Sequence, residues 1–166
     1  EDPVLARGRY LVEGLGHCGA CHTPRSITMQ EKALNNSEGT DYLSGSSAPI
    51  DGWTAINLRG DDRDGLGRWS TSDIAQFLRY GRNDQTAVFG GMTDVVQHSL
   101  QYLSDDDINA IARYLKSLSP RDSHQPVFKA DDSVSQALWK GNDQRTGAAE
   151  YVDSCAACHK TDGSGY

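Results

Sequence analysis

Two copies of the pattern C-x-x-C-H, three segments with apolar residues at helical spacing, and no alternating run that reads as a strand predict an all-α chain. Its helices and long irregular loops are expected to surround a covalently attached haem. The first pattern is Cys18-Gly-Ala-Cys21-His22, the second is Cys155-Ala-Ala-Cys158-His159, and no cysteine is left over. Two thiols one helical turn apart suit addition to the two vinyl groups of haem, and the adjacent imidazole then reaches the iron from one face. The rival readings explain less. A four-thiolate zinc site draws its ligand pairs from opposite ends of the chain and leaves both histidines without a role. A redox dithiol wants a βαβ context, and two simple disulfides give no reason for a histidine at the same offset twice.

In chain order, Leu5, Gly8, Leu11 and Val12 share one face of a first helix, and Gly8 permits close approach of another helix. Residues 35–69 carry no periodic segment and are rich in Gly, Ser and Asp; a macrocycle makes so long an irregular stretch acceptable by giving it something to pack on. Residues 70–80 open with a Ser70-x-x-Asp73 capping-box start, carry Ile74, Phe77 and Leu78 at helical spacing, and stop at Gly81. The clearest helix follows Ser104. There Ile108, Ile111, Ala112 and Leu115 form an i, i+3, i+4, i+7 stripe, and Asp105–Asp107 suit the positive end of the helix dipole. Between these two helices, Val88-Phe-Gly-Gly-Met92 reads as a flexible approach.

From Ser117 to Asp132 the chain is polar, with Pro120 and Pro126, and reads as a linker; a short helix at Val134–Lys140 ends at Gly141. The organisation expected is therefore a complete domain over 1–120, a linker over 121–140, and the start of a second domain over 141–166. Gly147-Ala-Ala-Glu-Tyr151 before the second motif weakly repeats what precedes the first. With seven residues after His159, that second domain is expected to be incomplete.

Composition narrows the function. Only 37% of the 166 residues are apolar and 17 are glycine, a thin core that a large apolar macrocycle would fill. The net charge is −7 with no basic segment set apart, which argues against nucleic acid as a partner. Mean hydropathy is −0.61 and no stretch is long and apolar enough for a membrane span.

An electron carrier usually gives its haem iron a second protein ligand, and a thioether opposite histidine raises the potential. Met92 is the favoured candidate, with His98 or an open position as alternatives; Met29, seven residues after His22, reads as filling. The second motif has no Met or His after it. Arg25, Trp53 and Trp69 are candidates to bond the haem propionates or close the pocket edge, as are Arg59, Arg79 and Arg82.

The stretch Arg7–Arg25, with Tyr42–Gly45, Asp51–Trp53, Asn57–Gly60, Gly65–Ser70, Gly81–Asp84 and Val88–Met92, resembles the multihaem cytochrome c subunit of bacterial membrane-bound dehydrogenases. These include quinoprotein alcohol dehydrogenase and flavin-dependent gluconate or sorbitol dehydrogenases. The resemblance implies a family with three c haems in three domains, of which this chain matches the middle one and the start of the third, with Asp162–Tyr166 following the third motif. It implies a periplasmic subunit, at or near the inner membrane, that relays electrons from a quinoprotein or flavoprotein catalytic subunit toward ubiquinone or a terminal oxidase. Peripheral membrane association is compatible with it. By residue it makes Cys18 and Cys21 the thioether anchors, His22 the proximal ligand and Met92 the distal one, with Cys155, Cys158 and His159 repeating the first three roles. Where such cytochromes often have proline, this chain has Ile56, whose carbonyl can still accept the His22 ring N–H. Two readings compete with the electron carrier: a dihaem cytochrome c peroxidase-like enzyme, which needs one open iron, and a haem-based sensor module.

Overall fold

Asp2 accepts the Val4 amide at 2.9 Å and Pro3 sits in the first turn, where a missing N–H costs nothing, so helix α1 (Pro3–Arg9) begins at once. The computed structural model describes residues 2–49, 52–127, 129 and 131–163; Asp51 and the Ser164–Tyr166 tail of the sequence motifs lie outside them. Helix α1 runs straight into a π-helical segment, Tyr10–Leu15. A single turn, α2 (Gly19–His22), is followed by α3 (Thr71–Tyr80), α4 (Gly91–His98), α5 (Asp105–Ser117), α6 (Asp132–Trp139), α7 (Ala148–Ser154) and α8 (Ala156–His159). Short 3₁₀ turns occupy Asn36–Glu38 and Leu100–Tyr102. Among the described residues there is no β-strand, in keeping with an all-α chain. The chain divides into two units, Glu1–Val127 and Phe128–Tyr166.

In the first unit the predicted helix signals act as caps. Ser70 and Asp73 close a reciprocal capping box at α3, and Gly81 ends that helix at φ +69°, in the left-handed region that glycine tolerates. Ser104 accepts the Asp107 amide at the start of α5. Asp107 does more than favour the dipole: Arg7 grips its carboxylate through two bonds of 2.7 and 3.0 Å, tying α1 to α5. The two helices meet at Gly8, where a Cβ would lie 2.1 Å from the Ala110 carbonyl oxygen and 2.7 Å from the Tyr114 Cβ. Around this crossing Leu11, Val12, Ile108, Ile111, Ala112 and Leu115 are buried together with Ile74 and Leu78 of α3.

One expectation needs correction. The Val88–Met92 approach is not flexible throughout, because helix α4 begins at Gly91 and carries Met92 in its first turn. The irregular stretch 35–69 has structural support from the protein itself: Arg59 and Asp61 are buried and bond to residues 119–122. Arg121 and Asp122, at the start of the expected linker, give their amides to Asp61, and α6 lies where the short helix at Val134–Lys140 was expected.

In the second unit Asp131 caps α6 by accepting the Ser133 amide at 3.0 Å. The Tyr151 hydroxyl of α7 donates to the Lys160 carbonyl at 2.6 Å, which fixes the chain just beyond α8.

Gly8→Val is expected to destabilise the first unit by about 1–3 kcal/mol, the usual cost of overpacking. Urea unfolding reads this directly; an unchanged midpoint would mean that α1 and α5 do not cross at Gly8.

Candidate haem-attachment site

The approach to the first motif is set by the π segment. The Gly16 amide donates to the Leu11 carbonyl at 2.7 Å, and the Cys18 amide to Val12 at 3.1 Å, spacings wider than an α-helix makes. Gly16 permits this closure, since a Cβ there would sit 2.8 Å from the Leu11 oxygen. The result delivers Cys18 against the core while Cys21 faces solvent. Burial pushes the Cys18 thiol up to about 11. Both thiols are free. Gly19 lies against the ring of Tyr42, 3.0 Å from where its Cβ would be, so the motif turn sits directly on the core.

His22 is half-buried, and its Nδ1 lies 2.8 Å from the Ile56 carbonyl oxygen. A carbonyl only accepts, so Nδ1 carries the proton and the Nε2 lone pair is left for a metal. Burial pushes this imidazole below its usual range, with the Ile56 carbonyl opposing, which favours the neutral ring that ligation needs.

The Ile56 carbonyl is itself held in place from the segment that follows. Asn57 donates to Asp61 Oδ2 at 2.8 Å and accepts the Arg59 amide at 2.9 Å. Asp61 also accepts the Arg121 and Asp122 amides at 2.8 and 2.9 Å. Burial raises the Asp61 carboxyl, but these amides and Asn57 more than offset it and hold the group below its ordinary value. Arg59, fully buried, donates to the carbonyls of Ser119 and Tyr42, to the Ser119 hydroxyl and to Asn36.

The other candidates are placed as follows. Met92 is half-buried against the core from the first turn of α4. Trp53 is half-exposed and packs on Phe89, ring centroids 5.0 Å apart. Trp69 is partly buried, edge-on to Phe77 at 5.5 Å. Arg25 donates to the carbonyls of Ala20 and Met29, at 2.7 and 2.6 Å, closing the loop after the motif. Arg79 spends its donors on Gln101, Leu103 and Asp105. Met29 and His98 are exposed.

The second motif repeats the hydrogen bonds of the first turn. The amide of His159 donates to Cys155 at 2.9 Å, as His22 does to Cys18 at 3.0 Å, and Lys160 donates to Ala156 at 2.8 Å, as Thr23 does to Gly19 at 2.9 Å. Cys155, Cys158 and His159 are exposed, and both thiols are free.

Three observations fit the first site to a covalent haem. Two free thiols stand one turn apart, the imidazole has only its outer nitrogen unengaged by the Ile56 carbonyl, and large apolar side chains stay uncovered nearby. Ile56, whose carbonyl meets His22, Trp53, which packs on Phe89 and Gly90, and Phe89 and Val95, three residues either side of Met92, keep 43–64% of their surface exposed. A porphyrin plane is the kind of apolar group that covers such a surface. The helical fold of the described residues with this donor set is that of a c-type cytochrome.

Comparison with known proteins is closer still. The chain is 80% identical over 164 residues to the gluconate 2-dehydrogenase cytochrome c subunit of Pantoea cypripedii, covering 99% of this chain and 37% of that protein. It is 50% identical over 165 residues to the cytochrome c subunit of the quinone alcohol dehydrogenase of Gluconobacter oxydans (strain 621H), with 99% and 34% coverage. It is 39% identical over 172 residues to the fructose dehydrogenase cytochrome subunit of Gluconobacter japonicus, with 96% and 34% coverage. Over almost its whole length the chain is similar to part of dehydrogenase cytochrome c subunits. It spans little more than a third of the length of these curated relatives. No family model matches it.

Sequence reasoning missed the π segment, the Arg59–Asp61 clamp and the helix that carries Met92. The pair Gly14 and Gly16 just before the motif was a signal for the first.

Asp61→Ala would leave the Arg121 and Asp122 amides without their acceptor, at a cost of about 1–3 kcal/mol. Because the folded carboxyl titrates below its unfolded value, its contribution is fully present above about pH 4 and fades as pH falls through the lower folded value. Urea unfolding should therefore show a larger loss for the variant at pH 7 than at pH 3; equal losses would contradict the clamp.

Proposed function

We propose that this chain is a periplasmic electron-transfer unit that carries two covalent c haems. It receives electrons from a quinoprotein or flavoprotein dehydrogenase subunit and passes them toward ubiquinone or a terminal oxidase. The observation that carries this reading is the folded motif itself: Cys18 and Cys21 on one turn, with His22 turned by the Ile56 carbonyl so that Nε2 is free. The 80% identity to a gluconate 2-dehydrogenase cytochrome c subunit supports the dehydrogenase as donor.

In this reading Cys18 and Cys21 anchor the first haem by thioether bonds, His22 is its proximal ligand and Met92 its distal one. Cys155, Cys158 and His159 hold the second. When bound, the haem supplies a one-electron ferric–ferrous couple. The chain's own residues supply placement. Ile56 fixes the His22 tautomer and ring orientation. The core seats Cys18, and Met92, packed on the same core from the first turn of α4, is the proposed thioether ligand, a type that favours ferrous iron and a raised potential. The net charge of −7 steers a basic patch on a partner and makes association weaken with salt. Attachment to the periplasmic face is proposed as peripheral. Among the described residues no helix is long and apolar enough to cross a membrane.

Met92→Ala in the haem-loaded chain is expected to abolish the far-red sulfur–iron absorption of the oxidised protein and to lower the potential. In the intact dehydrogenase complex, substrate should still reduce the parent haems. An unchanged spectrum in the variant would remove Met92 as ligand, and haems that stay oxidised during turnover would remove the electron-transfer reading.

A further inference from the structure

The helix that brings up Met92 starts in an unusual way. Helices α3 and α5 are each opened by a serine whose hydroxyl accepts an amide, whereas α4 has Gly90 at that position and no side-chain cap. Gly90 adopts φ +62°, ψ −153°, a conformation essentially confined to glycine. Its α-carbon faces the indole of Trp53 so closely that a Cβ would lie 2.6, 2.7 and 2.8 Å from three ring atoms. Phe89 backs the same ring at 5.0 Å, tilted by 55°. Farther along α4, Val96 is buried on the Gly81–Val88 turn. Among the described contacts of helix α4 are the packing of Met92 on the core, the valine beyond its middle, and the indole at the residue before its first turn. The indole contact falls on backbone two residues from Met92, where the helix has no side-chain cap.

We propose that Trp53 is a positioning residue for Met92, a flat plate that pins the Gly90 backbone and thereby holds the Met92 sulfur in place as the distal ligand of the first haem. The proposal rests on the Met92 assignment made above. Trp53 half-exposed is consistent with the role: one face covers glycine backbone and the rest remains open. The contact is apolar and without directional bonds, so what it opposes is displacement of the start of α4, not a change of bond partner. An outside ligand that competes with Met92 for the ferric iron requires that displacement, and it therefore measures the grip.

The test is imidazole titration of the oxidised, haem-loaded full chain, followed by loss of the far-red sulfur–iron band. Trp53→Ala is expected to bind imidazole about tenfold more tightly than the parent, equivalent to about 1.4 kcal/mol removed from the Met92 side. Trp53→Phe, which keeps a flat ring over Gly90, is expected to restore most of the parental resistance. Trp53→Leu, milder to the fold, is expected to move in the same direction as alanine and serves if Trp53→Ala loses its haem. Parental imidazole affinity in the leucine and alanine variants overturns the proposal. A parent that lacks the band, with Met92→Ala spectrally identical, overturns the Met92 assignment itself, and that outcome is distinct from a band that is present but insensitive to residue 53.

Discussion

Everything in the first unit depends on two helices being allowed to touch backbone to backbone. With no side chain at Gly8, α1 lies against the Ala110 carbonyl of α5 at a separation that any Cβ would forbid. The crossing is then locked by Arg7 on Asp107 and by Arg113 on Asp2, pairs whose worth is modest at a surface but which set the register of one helix on the other. From that fixed point the chain has little freedom. Leu11 and Val12 are driven into the core, the helix widens into a π turn, and Cys18 emerges packed on the core with Cys21 and His22 following on a single turn.

The other side of the site is organised by burying charge with full compensation. Asp61 is almost wholly buried and accepts from Asn57 and two main-chain amides; Arg59 is fully buried and donates to carbonyls, a hydroxyl and an amide oxygen. Removing either partner strands several groups at once, which is why such an arrangement holds an irregular chain in one conformation. Its product is a carbonyl, that of Ile56, held where His22 needs an acceptor. A proline at that position is not required, because the group that matters is the backbone oxygen, and the clamp downstream does the holding.

How much of this was legible in the sequence follows from which forces are local. The caps at Ser70 and Ser104 and the stripe Ile108–Leu115 appear in the structure because capping and amphipathic spacing are encoded within one or two turns. Gly8 was legible for the same reason, as the one gap in an apolar face. The Cys–His spacing was legible because it answers to the chemistry of a porphyrin and not to the fold. What could not be read was long-range. Arg59 looked like one of several arginines near a haem edge, and only the meeting of residues 57–61 with 119–122 shows its donors spent on the chain itself. The start of α4 was hidden because Gly90 and Gly91 mark a break in any local scale, whereas here Trp53 packs onto that break. The two motifs, alike in sequence, share the hydrogen bonds of the turn and differ in backbone at its ends, where Thr23 is extended and Lys160 has φ +57°.

The central claim is that each C-x-x-C-H turn holds one haem by two thioethers. The most direct measurement is the intact mass of the chain matured in a periplasm, combined with haem quantitation per polypeptide under denaturing conditions. The account predicts a mass raised by two haems that survive denaturation, one of which is lost in a Cys18→Ala, Cys21→Ala double variant. A chain with the bare polypeptide mass, or with haem that dissociates on denaturation, would contradict it.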